Sequence, residues 1–284
     1  MTLDVSFEVF PPKSVDGLDA LRTTVARLGD VGPAFVSVTY GAGGSDRERS
    51  FAAIDAVRST GVEVAGHLTC VGQSRREVDE VIERYAGLGV SQIVALRGDP
   101  PGGVDRTYTP HAEGHRRTAD LVRAIKRRGD FGVSVSAYPE RHPESPTEDH
   151  DLDVLADKVA AGADRAITQM FFDNDHYLRL RDRAEARRID IPIVPGIFPI
   201  HCITTVSRFA ERCGASMPRS VTARFAETAS DDEARQNVAA ELAAEQITAL
   251  TAHGVEQFHI YTLNRADLAL RVCEHLGVAS PLSR

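Results

Sequence analysis

The feature that most constrains this chain is an alternation of strand-like and helix-like segments, repeated eight times between residues 3 and 276. Residues 3–10 set the pattern. Leu3, Val5, Phe7 and Val9 are apolar while Asp4, Ser6 and Glu8 alternate with them, the period of two that a strand requires. Leu18, Leu21, Val25 and Leu28 then recur at helical spacing. The exchange continues with strands expected at 35–39, 62–68, 92–96, 132–137, 165–170, 191–194 and 257–261. Helices are expected at 46–58, 74–87, 119–126, 151–161, 176–186, 231–252 and 265–276, with a further helical region after residue 194. The helix after Ser74 is the best marked: Ser74 and Glu77 have capping-box spacing, and Val78, Val81, Ile82 and Tyr85 form one stripe.

Right-handed β–α–β connections produce parallel sheet, and eight of them close a barrel. An α/β fold of the (β/α)8 TIM-barrel type is therefore expected, with residues 1–284 as a single catalytic domain; the length of 284 residues suits it. The doubly wound open sheet is the competing architecture. It would carry a glycine fingerprint after its first strand, where this chain reads FPPKS. Gly41-Ala42-Gly43 follows the second strand, but Asp46 stands where the third glycine is needed. There is no GK[ST] phosphate loop, no internal repeat and no linker.

Composition removes other classes. A net charge of −8 without a basic run argues against nucleic acid or an anionic membrane as partner. No apolar run reaches the roughly 18–20 residues that span a bilayer. The first ten residues lack the basic and apolar regions of a secretory leader. Cys70, Cys202, Cys213 and Cys273 have no CxxC spacing and are expected to be reduced thiols of a cytoplasmic protein. His67 and His142 have no partner at metal-ligand spacing, so no metal site is expected.

Barrel chemistry sits where the strands end. Those ends read Glu8, Thr39, His67, Arg97 with Asp99, Tyr138, Gln169, Pro195-Gly196 and Tyr261 leading to Arg265. So many hydrogen-bonding side chains at one end point to a small-molecule site, although a barrel mouth is also polar where it meets water. Glu8 alternates with residues that must face the helices, so it points inward. A carboxylate there is either a structural ion pair or a general acid with a raised pKa. In Leu96–Gly103 (LRGDPPGG), the glycine between Arg97 and Asp99 would let a planar ligand reach the backbone; an ordinary turn with a surface ion pair is the other reading. Tyr138 and His142 in AYPERHPE are placed to stack on an aromatic cofactor or to pack on each other.

Eight ordered blocks then carry a resemblance: FEVFPPK at 7–13, SVTYGAGGS at 37–45, GHLTC at 66–70, VALRGDPP at 94–101, AYPERHPE at 137–144, GADRAITQMFFD at 162–173, PGIFPI at 195–200 and YTLNRA at 261–266. Together they resemble the methylenetetrahydrofolate reductase family, in its short bacterial form without the regulatory domain of eukaryotic members. The resemblance implies an oxidoreductase of one-carbon metabolism. It would reduce 5,10-methylenetetrahydrofolate to 5-methyltetrahydrofolate by a ping-pong reaction, with FAD as cofactor and NADH or NADPH as reductant. It implies Glu8 as the acid that protonates folate N10 and Asp99 as the carboxylate beside the flavin that steadies the cation. Folate would be held by Asp99, Gln169, Phe209 and Arg265, and the nicotinamide by Thr39 and Gln169. Tyr40, Ala42, His67, Arg97, Gly98, Tyr138, His142, Asp151 and Lys158 would hold FAD. Members are often homo-oligomers, and the alanine-rich helix at 231–252 is a candidate interface. Two alternatives keep the barrel: direct hydride transfer without flavin, and a non-catalytic folate-binding barrel.

The chain departs from the family pattern in the expected FAD region. Arg117-Thr118 stand where Tyr-Ala is usual, and Asp157 precedes Lys158 where a basic residue is frequent. An acid beside a diphosphate would loosen FAD, more so at high salt, unless Arg117 or Arg141 supplies the missing charge.

Overall fold

The computed structural model describes residues 3–14, 16–41, 44–100, 108–226, 228 and 231–278. Nine strands lie among them: β1 (Asp4–Val9), β2 (Val36–Val38), β3 (Val64–Thr69), β4 (Gln92–Leu96), β5 (Gly132–Ala137), β6 (Arg165–Thr168), β7 (Ile193–Val194), β8 (Gly196–Ile197) and β9 (Gln257–Tyr261). The helices are α1 (Asp16–Gly29), α2 (Gly44–Arg58), α3 (Arg75–Gly87), α4 (Thr118–Arg128), α5 (Glu148–Ala160), α6 (Asn174–Ala186), α7 (Ile203–Arg212), α8 (Arg219–Ala226), α9 (Asp232–Ala252) and α10 (Ala266–His275). The strands pair in parallel in the order β7-β6-β5-β4-β3-β2-β1-β9-β8.

That order closes a ring. β7 and β8 adjoin in sequence across Pro195 and are two halves of one barrel strand, one pairing with β6 and the other with β9. Proline has no N–H to give a ladder, so the strand breaks there. Its carbonyl still accepts from the backbone N–H of His259 at 3.0 Å. Gly196 makes the closure possible. A Cβ at this position would lie 2.3 Å from the Thr168 carbonyl oxygen and 2.6 Å from the Tyr261 ring, whose hydroxyl donates to that same carbonyl at 2.6 Å. The expected (β/α)8 barrel is the observed one, its seventh strand broken in two.

Period-two alternation sorts the strand residues into two apolar layers. Phe7, Val9, Val36, Val38, Leu68, Ile93, Val135, Phe258 and Ile260 join the large core between barrel and helices. Phe35, Ala65, Val94, Ile167 and Val194 form a separate small cluster. They come from five different strand segments, as side chains filling the barrel interior must. This plug forms part of the floor of the site described below.

Helix boundaries follow local chemistry. Ser74 caps α3, accepting from the Glu77 N–H, and Glu77 returns a bond to the Ser74 N–H at 2.8 Å. α5 starts three residues before the expected position, because Thr147 accepts from the His150 N–H at 3.2 Å and the first turn, with Glu148, Asp149 and Asp151, suits a helix N-terminus. The helical region after residue 194 resolves into α7 and α8. In α9, Ala239, Ala240, Ala243 and Ala244 are buried within the chain itself, where the helix packs on α10, α8 and α6. The alanine face taken as a candidate oligomer interface is therefore occupied internally.

Candidate active site

The C-terminal ends of the strands surround a cavity of about 880 Å³. Glu8, Thr39, Tyr40, His67, Arg97, Gly98, Asp99, Tyr138, His142, Asp151, Lys158, Gln169 and Phe209 all line it. Two expected site residues stand apart. Arg265 is exposed at the N-cap of α10, outside the cavity lining. Ala42 lies outside the described residues, as does the 101–103 part of the LRGDPPGG run.

Glu8 faces inward from β1, as alternation requires, between two imidazoles. Its Oε2 is 3.5 Å from His67 Nε2 and 3.9 Å from His259 Nε2. Burial favours the neutral acid. The neighbouring imidazoles of His259 and His67 outweigh burial and hold the carboxyl below its ordinary range. The raised pKa expected from its inward position is thus not found, because desolvation is answered by imidazoles. Burial also lowers His67 by more than Glu8 raises it, and the hydrogen-bond contact of its Nε2 is with Ser37 Oγ at 3.2 Å.

On the β4 loop, Arg97 forms a two-pronged pair with Glu144, one arm at 3.1 Å, and its guanidinium lies 4.6 Å from the centroid of the Tyr108 ring. The surface pair between Arg97 and Asp99, weighed as an alternative, is not how Arg97 is used. Asp99 is exposed at the cavity edge. Gly98 joins them at φ +83°, and a Cβ there would lie 2.5 Å from Val71, so only glycine fits. On the β5 loop, Tyr138 and His142 pack edge-to-face with centroids 4.6 Å apart. Asp151 anchors this loop, accepting from the His142 N–H at 2.9 Å and from the Ser145 hydroxyl.

Lys158 runs inward from α5. It is 5% exposed, and its Nζ donates to the Ser136 carbonyl at 2.7 Å and hydroxyl at 3.2 Å. Burial pulls its pKa down to about 8, against the pull of Asp151. The neighbouring Asp157 points elsewhere and pairs with Arg117 at 2.9 Å. Of the two candidate compensating cations, Arg117 is the one that answers Asp157; Arg141 donates to the Ser145 carbonyl instead. Tyr40 donates its hydroxyl to Gln73 Oε1 at 2.9 Å. Thr69 Oγ1 is buried beside the cavity with no hydrogen-bond partner. Phe209, 45% exposed, leans over Phe198 with centroids 6.1 Å apart.

Sequence reasoning missed His259 and Thr69 as site residues. His259 was findable: in QFHIY, Gln257, His259 and Tyr261 share one strand face, by the alternation that singled out Glu8. Thr69 falls one residue past the expected end of its strand, and the reach of Arg117 to α5 is a matter of helix placement.

A parallel β/α barrel with a deep polar mouth built from seven strand ends defines a small-molecule enzyme of the barrel class. Comparison narrows the class. A family model described as methylenetetrahydrofolate reductase matches residues 2–277. The chain is 43% identical over 285 residues to the 5,10-methylenetetrahydrofolate reductase of Pectobacterium carotovorum, covering 99% of this chain and 93% of that protein. It is 42% identical over 279 residues to the Salmonella typhimurium protein of the same name, covering 97% and 91%. A solved structure from Clostridium thermocellum, titled as an uncharacterised protein that binds two copies of 5-methyl-5,6,7,8-tetrahydrofolic acid, shares the fold with a TM-score of 0.70 at 12% identity and 96% coverage of each chain. The chain belongs to the methylenetetrahydrofolate reductase family and is an oxidoreductase of that type. Among the described residues no helix is long and apolar enough to cross a membrane, and no group of three or more potential ligands could hold a metal ion.

Proposed function

We propose that the chain reduces 5,10-methylenetetrahydrofolate to 5-methyltetrahydrofolate with NADH or NADPH, holding FAD in the barrel mouth and admitting reductant and folate in turn. The observation that carries this reading is that Glu8, Asp99 and Gln169, from β1, the β4 loop and the β6 end, line one cavity. The cavity suits a flavin: Gly98 leaves the β4 loop open to a flat ring, Thr69 Oγ1 is an unsatisfied buried hydroxyl at the wall, and one N–H of Lys158 remains free to meet an anionic group. The flavin would supply hydride transfer in both directions, while the protein supplies position and charge.

The remaining roles belong to this chain's side chains. Glu8 gives a proton to folate N10, which opens the imidazolidine ring. The folate left behind is a cation, and the Asp99 carboxylate at the cavity edge stabilises it electrostatically. Gln169, whose own Oε1 accepts from the Met170 N–H at 2.9 Å, turns its amide N–H groups to the pterin or the nicotinamide. Phe209 offers an exposed ring for either ligand to stack on. Arg265, outside the cavity, reaches only the part of folate that extends past the rim. The name of the Clostridium thermocellum protein agrees with a barrel of this fold accepting a reduced folate.

An absorption spectrum of the purified chain tests the proposal. Flavin bands that bleach on adding NADH or NADPH and return on adding methylenetetrahydrofolate support it. Folate reduction by a colourless chain would establish direct hydride transfer instead, and folate binding without oxidation of either nucleotide a non-catalytic barrel.

A further inference from the structure

A second hollow lies among the outer helices of the barrel and shares no lining residue with the mouth. Arg75, Asp79, Ile82 and Glu83 recur at helical spacing and so share one side of α3. Ala124, Arg127 and Arg128 do the same on α4, and between the two helices is a groove of about 450 Å³. Its floor is apolar, with Ile82 and Ala124 buried. That volume lies within the roughly 300–1,000 Å³ of small-molecule sites.

The charges around the groove are unevenly matched. Arg128 takes both acids: its Nε and Nη2 donate to Asp79 at 2.7 and 2.6 Å, and its Nη1 donates to Glu83 at 2.9 Å. Among the described residues, the side chains of Arg75 and Arg127 have neither a hydrogen-bond nor an ion-pair partner. In a chain of net charge −8, two guanidiniums without a carboxylate beside one groove do not reflect a shortage of acids.

His115 lines the same groove from the segment that leads into α4. It is 6% exposed, and its Nε2 is buried without a hydrogen-bond partner. A buried polar atom left unpaired costs stability, and a leucine would fill the space without that cost. The segment holds the ring in place. The Glu113 carbonyl accepts from the Arg75 N–H at 3.1 Å, and a Cβ at Gly114 would lie 2.5 Å from the Gln73 carbonyl oxygen. Burial, and then Arg75, hold the His115 pKa below its ordinary range; Asp120 and Asp79 oppose the fall and Arg127 adds to it. At neutral pH the ring is therefore uncharged and still has one N–H to give.

We propose that this groove binds a phosphate-bearing small molecule, its phosphoryl oxygens held by the Arg75 and Arg127 guanidiniums and the His115 imidazole, its organic part laid on Ile82 and Ala124. Three donor groups, from two helices and the segment between them, suit the three free oxygens of a phosphoryl group; a carboxylate has only two. Arg128 shields the ligand from Asp79 and Glu83. Bound there, the phosphate bridges α3, α4 and the segment between them.

This binding needs neither flavin nor folate, so the test uses the purified full chain alone, with phenyl phosphate, inorganic phosphate and benzoate as probes. Histidine ring signals are followed by NMR. The signal lost in His115→Leu, or in His115→Gln if the first does not fold, is that of His115. Phenyl phosphate should shift it saturably, with a dissociation constant at least about tenfold below those of inorganic phosphate and benzoate. Arg75→Gln and Arg127→Gln, at exposed positions, should each weaken binding by at least about fivefold. Lys158→Met, in the barrel mouth, should leave it unchanged. The melting temperature should climb with phenyl phosphate in the natural chain and not in the double arginine variant. A shift that survives loss of both arginines, that Lys158→Met abolishes, or that benzoate reproduces at the same concentration overturns the site. So does the absence of any shift up to about 10 mM.

Discussion

The Arg117 guanidinium lies 2.9 Å from the Asp157 carboxylate, tying the N-cap of α4 to α5 at the edge of the cavity. Each residue is a departure from the family pattern, and each answers the other. On the proposed FAD reading, Asp157 alone would repel the diphosphate, and the pair both neutralises it and occupies Arg117.

Asp157→Asn should therefore free Arg117 and tighten FAD, and Arg117→Gln should loosen it. The side chains are 61% and 55% exposed, so the pair is worth about 0.2–1 kcal/mol, a change of up to about fivefold. FAD dissociation measured at low and high salt checks this. Both effects should shrink as salt rises, and tighter binding by Arg117→Gln would rule out the arrangement.

Glu8→Gln keeps the shape of the acid and removes its proton. Reduction of folate by pre-reduced enzyme should fall by about 100-fold or more. Reduction of the proposed flavin by NADH should be largely unchanged, and stopped-flow absorbance separates the two half-reactions. Full folate turnover in this variant would remove Glu8 from its role.

Asp99→Asn should slow the folate half-reaction more than the nicotinamide one, since positive charge develops on folate alone. A loss of about 100-fold in one and less than a few-fold in the other is the expected split. Equal losses would trace the defect to flavin binding or folding.

On the proposed FAD reading, Lys158 gives cofactor binding a pH dependence. Its pKa is pulled down to about 8 by burial, so the unliganded chain sheds this proton near pH 8. An anionic ligand favours the protonated form and draws a proton with it. FAD affinity should be flat below about pH 8 and fall above it, by up to tenfold per pH unit. Lys158→Met should bind more weakly at pH 7 and lose the slope. A natural chain whose dissociation constant is unchanged from pH 7 to 9.5 would show that Lys158 does not face the anionic part of the ligand.

Much of this molecule is legible in the order of its residues, and the reason is period. Two-residue alternation in DVSFEV and QFHIY fixes which side chains face the barrel axis before any partner strand is known. Eight strand–helix units leave a closed barrel as the economical solution, and strand ends then name the mouth: Glu8, Thr39, His67, Arg97, Asp99, Tyr138, Gln169 and Tyr261 all line the cavity. The capping box at Ser74 needed only four consecutive residues.

What the order of residues left open was decided by contacts between segments far apart in the chain. Glu8 and His259 are 251 positions apart, and only ring closure through β9 makes them neighbours. With His67, that contact sets the direction of the Glu8 pKa against its burial, because burial raises a carboxyl but neighbouring imidazoles lower it, and sequence position carries no distance. The fate of Asp157 was likewise open until α4 and α5 were set side by side, when Arg117 came within reach. Alternation and capping are one-dimensional and can be read along the chain. Electrostatics falls with separation in space, and only the closed barrel fixes that separation.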